Sequence, residues 1–191
     1  MKQTVWNIPP AVPIPEELTR AGYSPLLSAV LASRGVVTAE AAVAFLECGP
    51  ETLEDPFLLT DMDKAVRRIR RAQADGETVV VYGDYDVDGI TSACLLTEYL
   101  RGIGLTTEIY IPDRLEEGYG LNPGAVKRLC EKNVTLIITV DCGVTAVEET
   151  DYAASLGVDV IITDHHECQA ELPRAVAVVN PKRPDCAYVN R

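Results

Sequence analysis

From residue 76 onward the chain alternates between two spacings of apolar side chains. Short runs rich in β-branched residues recur: Thr78-Val79-Val80-Val81-Tyr82, Glu108-Ile109-Tyr110-Ile111, Leu136-Ile137-Ile138-Thr139-Val140, Val158 to Thr163 and Ala175 to Val179. Runs such as Thr78 to Tyr82, apolar without alternation, suit strands covered on both faces. Between them lie stretches with helical spacing: Ile90 to about Leu100, Pro123 to Glu131, and Ala146 to Leu156, the last closed by Gly157. Strands alternating with helices predict an α/β fold, a mostly parallel sheet with helices on both faces.

A small helical segment precedes this region. Residues 1 to about 22 are rich in proline and predict an extended arm. Ser24-Pro25 is a cap followed by proline in the first turn, with Leu27, Val30 and Leu31 on one face and Gly35 at the end. Thr38 caps a second helix that would turn Ala42, Phe45 and Leu46 inward and stop at Gly49-Pro50. A third, from Thr60, would bury Met62, Ala65, Val66, Ile69 and Ala72. Its Arg67, Arg68, Arg70 and Arg71 make a basic face, either solvated or in contact with a phosphate backbone or another domain. The expected division is an arm and helical segment over 1–75 and an α/β domain over 76–191. There is no internal repeat and no low-complexity segment.

Composition adds limits. At 191 residues, 47% hydrophobic and 24% charged, the chain has an ordinary globular make-up. No apolar run approaches the about 20 residues that cross a bilayer, and Pro9, Pro10, Pro13 and Pro15 break up any signal-like start. No membrane partner is expected. The cysteines at 48, 94, 130, 142, 168 and 186 form no C-x-x-C pair. They read as reduced, mostly buried thiols of a cytoplasmic protein, with no thiolate zinc site. The net charge of -12 by itself argues against nucleic-acid binding. Part of that acidity, however, sits in motifs that bound cations would neutralise.

Those motifs fall at strand ends, where ligands bind in this fold class. The first strand runs into Gly83-Asp84-Tyr85-Asp86-Val87-Asp88-Gly89, the third into Asp141-Cys142-Gly143, the fourth into Asp164-His165-His166-Glu167. Carboxylates this dense repel one another unless cations intervene. Both histidines of the chain lie in the cluster, and imidazole among carboxylates suits Mn²⁺, and Mg²⁺ less well. Any one of these residues has an ordinary reading: Asp86 or Asp88 as a helix cap, Asp141 as a turn residue, His165 and His166 as structural. The three segments together do not. The aspartate triplet is not an EF-hand loop, because the twelfth position from Asp84 is Leu95 where glutamate is needed. It is not a Walker loop either, since no Gly-Lys-Ser/Thr follows.

Asp164-His165-His166 resembles the signature from which the DHH phosphoesterases take their name. The segment Tyr82 to Ser92 resembles the first motif of that family's single-strand DNA exonuclease branch. Pro112-Asp113-Arg114 with Glu117-Gly118-Tyr119-Gly120-Leu121 resembles the second motif, and Thr139 to Val144 the third. The likeness runs from about Ser24 to Cys186.

The resemblance implies a DHH domain using two Mn²⁺ or Mg²⁺ ions to degrade single-stranded DNA from the 5′ end, in repair and recombination. By the same resemblance Asp84, Asp86 and Asp141 hold one ion; Asp88, Asp141 and His165 serve the other, with Asp141 bridging. His166 touches the scissile phosphate, Asp164 orients a histidine, and Arg114 and Tyr119 contact substrate. Arg114 could instead pair with Asp113 or Glu117. Members of the family carry a fifth acidic motif and C-terminal domains that do not fit before Arg191. The chain therefore reads as a fragment or truncated product, weakly active or inactive alone. The alternatives are the same chemistry on oligoribonucleotides, cyclic dinucleotides or pyrophosphate, or a non-catalytic scaffold. Those other branches place a histidine before the first aspartates, where this chain has Tyr82.

Overall fold

The structure, a computed structural model, describes residues 10, 12–47, 49 and 53–188. Residues 1–9 and 11 of the N-terminal arm, Cys48, the Pro50 helix stop and the last three residues lie outside them. The chain forms two compact units, residues 1–53 and 54–191.

The first unit holds α1 (Glu16–Arg20), α2 (Pro25–Ser33) and α3 (Ala39–Leu46), so the arm expected to be extended contains a short helix. Ser24 and Thr38 cap as expected: their hydroxyls accept from the amides of Leu27 and Ala41. Leu18, Leu31 and Ala42 form a small core flanked by Tyr23, Leu27 and Val36. Val30, Phe45 and Leu46, expected inward, are 41%, 51% and 45% exposed. Helices of two turns offer few positions to so small a core, and Leu18, Tyr23 and Val36 contribute to it from outside α2 and α3.

The second unit begins with a 3-10 turn (Pro56–Leu58) and α4 (Met62–Asp75). There follow β1 (Thr78–Tyr82), α5 (Val87–Gly102), β2 (Thr106–Tyr110), α6 (Pro123–Glu131), β3 (Val134–Val140), α7 (Val147–Ser155), β4 (Asp159–Thr163) and β5 (Ala177–Val179). The division expected after residue 75 thus falls ahead of α4. That helix packs on the sheet: Met62, Ala65, Ile69 and Ala72 join the cluster built on Val79, Ile138, Ile161 and Val179. Its basic face is also not simply solvated. Arg68, 6% exposed, is clamped by Glu77 (2.7 Å) and Asp159 (2.5 Å).

The five strands are all parallel, in the order β2-β1-β3-β4-β5. Alternate residues of β1 feed two cores, as the uniform apolar run requires. Val79 and Val81 face α4 and α5, while Val80 and Tyr82 face α6 and α7. The chain leaves β1 outward to β2 and returns on the other side as β3. The connections after β1 and β3 therefore diverge and leave a crevice between their carboxyl ends.

At the far edge, Asp61 adopts a left-handed conformation (φ 66°). Its carboxylate accepts from the Val178 amide (3.2 Å) and from Arg183 (2.6 Å). Arg183 also donates to the Val178 carbonyl (2.7 Å). One ion pair thus ties α4, β5 and the following turn together. At the other edge Arg101 donates twice to the Thr107 carbonyl of β2.

Candidate metal centre

Each strand tip is bent so that its acidic residue turns into the crevice. After β1, α5 folds back so tightly that a Cβ on Gly89 would stand 2.5 Å from the Asp84 carbonyl oxygen and 2.6 Å from its nitrogen. Only glycine allows that approach. Asp86 caps α5, accepting from the amides of Asp88 (2.9 Å) and Gly89 (3.0 Å), so the helix starts three residues before the expected Ile90. After β3, Asp141 is left-handed (φ 61°) and Gly143 has φ 104°. A Cβ at Gly143 would meet the Thr139 hydroxyl at 2.8 Å, and that hydroxyl closes the turn by donating to the Cys142 carbonyl.

After β4, the buried Asp164 carboxylate is fully engaged. One oxygen accepts from the His165 amide (2.7 Å), the His166 amide (3.0 Å) and His166 Nδ1 (2.8 Å). The other accepts from the Val144 amide (2.9 Å). Asp164 therefore joins the β3 and β4 tips and fixes the His166 ring, leaving Nε2 for other contacts. Asn180 adds support by donating to the His166 carbonyl (2.9 Å).

Among the described residues two sets of possible ligand atoms result, Asp84–Asp86–Asp141 and Asp141–His165–His166, each within 4.8 Å of one another. Asp141 belongs to both. Its Oδ1 lies 2.8 Å from His165 Nε2. Its Oδ2 is buried and has no hydrogen-bond partner among the described residues. Burial pushes the Asp141 carboxyl above its ordinary pKa, His165 opposes this, and neighbouring Asp86 reinforces it. Asp86 is held low, chiefly by the Gly89 amide. A buried carboxylate oxygen without a donor, beside a second carboxylate and an imidazole, has the form of a cation site. The mixed O/N donor set fits Mn²⁺ or Mg²⁺.

The cluster separates two clefts. One, of about 460 Å³, opens over β3 to β5 between Asp141, His165, Asp88 and Ser92. The other, of about 310 Å³, opens over β1 and β3 between Asp84, Asp86, Tyr119 and His166. Asp88 lies in neither ligand set: it is exposed on the first turn of α5, on the wall of the larger cleft. Tyr119 reaches the centre, its hydroxyl 3.3 Å from the Asp141 carbonyl and its ring against His166. Arg114 pairs with neither Asp113 nor Glu117 among the described residues. Glu117 is taken by Tyr110 and Arg128, and the Arg114 guanidinium lies 5.2 Å above the Tyr85 ring. Tyr85, which also meets Tyr119 edge to face, was not marked by the sequence. A tyrosine between two aspartates carries no periodic signal.

In this crevice aspartates from β1 and β3 meet a histidine pair from β4. Residues 78–189 match the DHH family, N-terminal domain, and the chain belongs to the DHH family. The single-stranded-DNA-specific exonuclease RecJ of Bacillus subtilis strain 168 is 45% identical over 165 residues, covering 86% of this chain and 21% of that protein. RecJ of Escherichia coli K12 is 37% identical over 172 residues, covering 90% and 29%. A crystal structure of exonuclease RecJ bound to manganese superposes with a TM-score of 0.64 at 35% identity, over 70% of this chain and 34% of that one. The chain thus spans between 21% and 29% of the length of these two curated relatives.

Proposed function

We propose that this chain is the metal-bearing part of a 5′ to 3′ exonuclease acting on single-stranded DNA. The observation that carries the reading is Asp141, whose buried, unpartnered Oδ2 stands where β1 carboxylates and β4 imidazoles meet. The similarity to proteins named as single-stranded-DNA-specific exonucleases, and to a manganese-bound RecJ, supports the substrate and the ion.

In this reading Asp84, Asp86 and Asp141 hold one divalent cation. Asp141 is shared with a second, served by His165 and by Asp88 from the larger cleft. Mn²⁺ or Mg²⁺ held there would supply Lewis acidity for activating a water and offsetting charge on phosphoryl oxygens. His166, fixed through Nδ1 by Asp164, meets the scissile phosphate with its other ring nitrogen. Arg114 and Tyr119 line the approach of the strand. The chain covers only 21% and 29% of the two RecJ proteins it matches, and the expectation for these 191 residues tested alone is slow or absent turnover. No described helix is long and apolar enough to cross a membrane.

The test is calorimetric titration with Mn²⁺, followed by incubation with a 5′-phosphorylated oligodeoxynucleotide and with pyrophosphate. Manganese uptake lost in Asp141→Asn, with any released product a 5′-mononucleotide, is expected. Hydrolysis of pyrophosphate with the oligonucleotide left intact, or no manganese uptake, overturns the reading.

A further inference from the structure

We propose that the nucleoside attached to the reacting phosphate lies against Tyr119, in a cavity running from the metal centre toward Thr145 and Glu149. This deepens the phosphodiesterase reading above and rests on it. A phosphate held between Asp84, Asp86, Asp141 and His166 has two ways to extend, one into each cleft. The larger cleft is walled by Leu59, Val140, Val179 and Pro181 with the hydroxyls of Thr91 and Ser92; among the described residues its one aromatic ring is the imidazole of His165, a candidate metal ligand, and no tyrosine, phenylalanine or tryptophan lines it.

The smaller cleft has Tyr119 on its wall. That residue is 52% exposed, while T-shaped contacts with Tyr85 and His166 (ring centroids 6.3 and 6.2 Å apart) hold its ring in place. A further cavity of about 110 Å³ shares Tyr119, Gly143 and Thr145 as walls and adds Gly120, Leu121 and Glu149. Gly120 (φ 77°) and Gly143 (φ 104°) contribute no side chain to fill the space.

The chemistry of these walls selects the occupant. Among the described residues no lysine or arginine lines either cavity, so a second phosphate would find no countercharge in these walls. What the walls offer is an aromatic ring, a hydroxyl and a carboxylate. A nucleobase matches all three: its face stacks on Tyr119, and its ring or exocyclic N–H groups donate to Glu149 or Thr145. Stacking tolerates every base, which suits an enzyme that must release each nucleotide in turn.

The experiment compares inorganic phosphate with thymidine 5′-monophosphate, each titrated calorimetrically into the Mn²⁺-loaded chain. The wild type is expected to bind the nucleotide about tenfold more tightly than phosphate, the scale of one stacked base. Tyr119→Leu should erase most of that preference. Should Tyr119→Leu fail to fold, the surface pair Thr145→Val and Glu149→Gln should still lower the preference several-fold. A preference that survives both variants, or that disappears instead in Ser92→Ala of the other cleft, overturns the proposal. Equal binding of phosphate and nucleotide by the wild type overturns the subsite alone. Failure of the Mn²⁺-loaded chain to bind phosphate at all overturns the phosphodiesterase reading beneath it.

Discussion

Replacing Asp141 by Asn separates folding from metal binding. Asparagine tolerates the left-handed conformation (φ 61°) better than most residues do, and its carbonyl can accept from His165 as the carboxylate does. What the substitution removes is a charge. Asp141 is 8% exposed, with Oδ2 unpartnered and Asp86 close enough to raise its pKa. An amide placed there would donate toward Asp86 in place of two carboxylates repelling each other. Without metal, Asp141→Asn should therefore melt at or slightly above the wild-type temperature, although it alters a buried residue. With Mn²⁺ the order reverses. Free ion at 100 times its dissociation constant stabilises the folded state by about 2.7 kcal/mol. For a domain of this size that is a rise of roughly 10 °C. Scanning calorimetry in EDTA and then in Mn²⁺ measures both effects. A variant that melts well below wild type in EDTA would mean that Asp141 is a structural residue. A variant that keeps the manganese shift would mean that the ion sits elsewhere.

Gly89→Ala should lower stability by at least about 3 kcal/mol in urea unfolding, because the added methyl meets the Asp84 backbone and no rotamer relieves it; a neutral result would refute the close approach. Arg68→Met leaves Glu77 without its buried partner and should cost about 3–5 kcal/mol, measured the same way, whereas a surface pair would cost almost nothing. Asp164→Asn, which disturbs the acceptor of His166 Nδ1, should weaken manganese binding about 10–100-fold by calorimetry; unchanged affinity would remove Asp164 from the site. For Asp61, burial works to raise the carboxyl pKa, but hydrogen bonds from Lys64, Arg183 and the Val178 amide outweigh it and hold the group below 3.8. Its stabilising contribution is therefore complete above that pH and lost as pH falls through the depressed value. Asp61→Asn should unfold more easily at neutral pH and show a shallower acid transition, and parallel acid curves would contradict the clamp.

Sequence periodicity located the central strands because a strand buried on both faces must be apolar throughout, as Val79, Val80 and Val81 are; the edge strand β2, which is Thr106–Tyr110 and largely exposed, was placed two residues late at Glu108 because Thr106 and Thr107 carry no apolar signal. It fixed the α6 bounds, where Asn122 caps the helix and Pro123 opens it. It misjudged the start of α5, since Asp86 serves as cap and candidate ligand at once and its side chain reaches forward to Gly89. Arg68 looked like one of four surface arginines because its partners, Glu77 and Asp159, are 9 and 91 residues away in the chain. The acidic and imidazole residues of the site were legible from their places at strand ends. What no spacing could reveal was the division of labour among them. The exhaustion of Asp164 by four N–H donors, the empty oxygen of Asp141 and the seat of Arg114 on Tyr85 appear only in three dimensions.

The arginines at the two borders of the sheet matter for how the protein behaves in solution. A bare strand edge invites a strand from a neighbouring molecule, and such pairing is a common route into fibrils. On β5 the amide and carbonyl of Val178 are already bonded to Asp61 and Arg183, and on β2 the Thr107 carbonyl is held by Arg101. Ribbon-like growth from either flank would first have to tear away a charged side chain. Clumping of this chain on storage should accordingly track the fraction of molecules that unfold, and be suppressed by whatever ion or ligand keeps them folded.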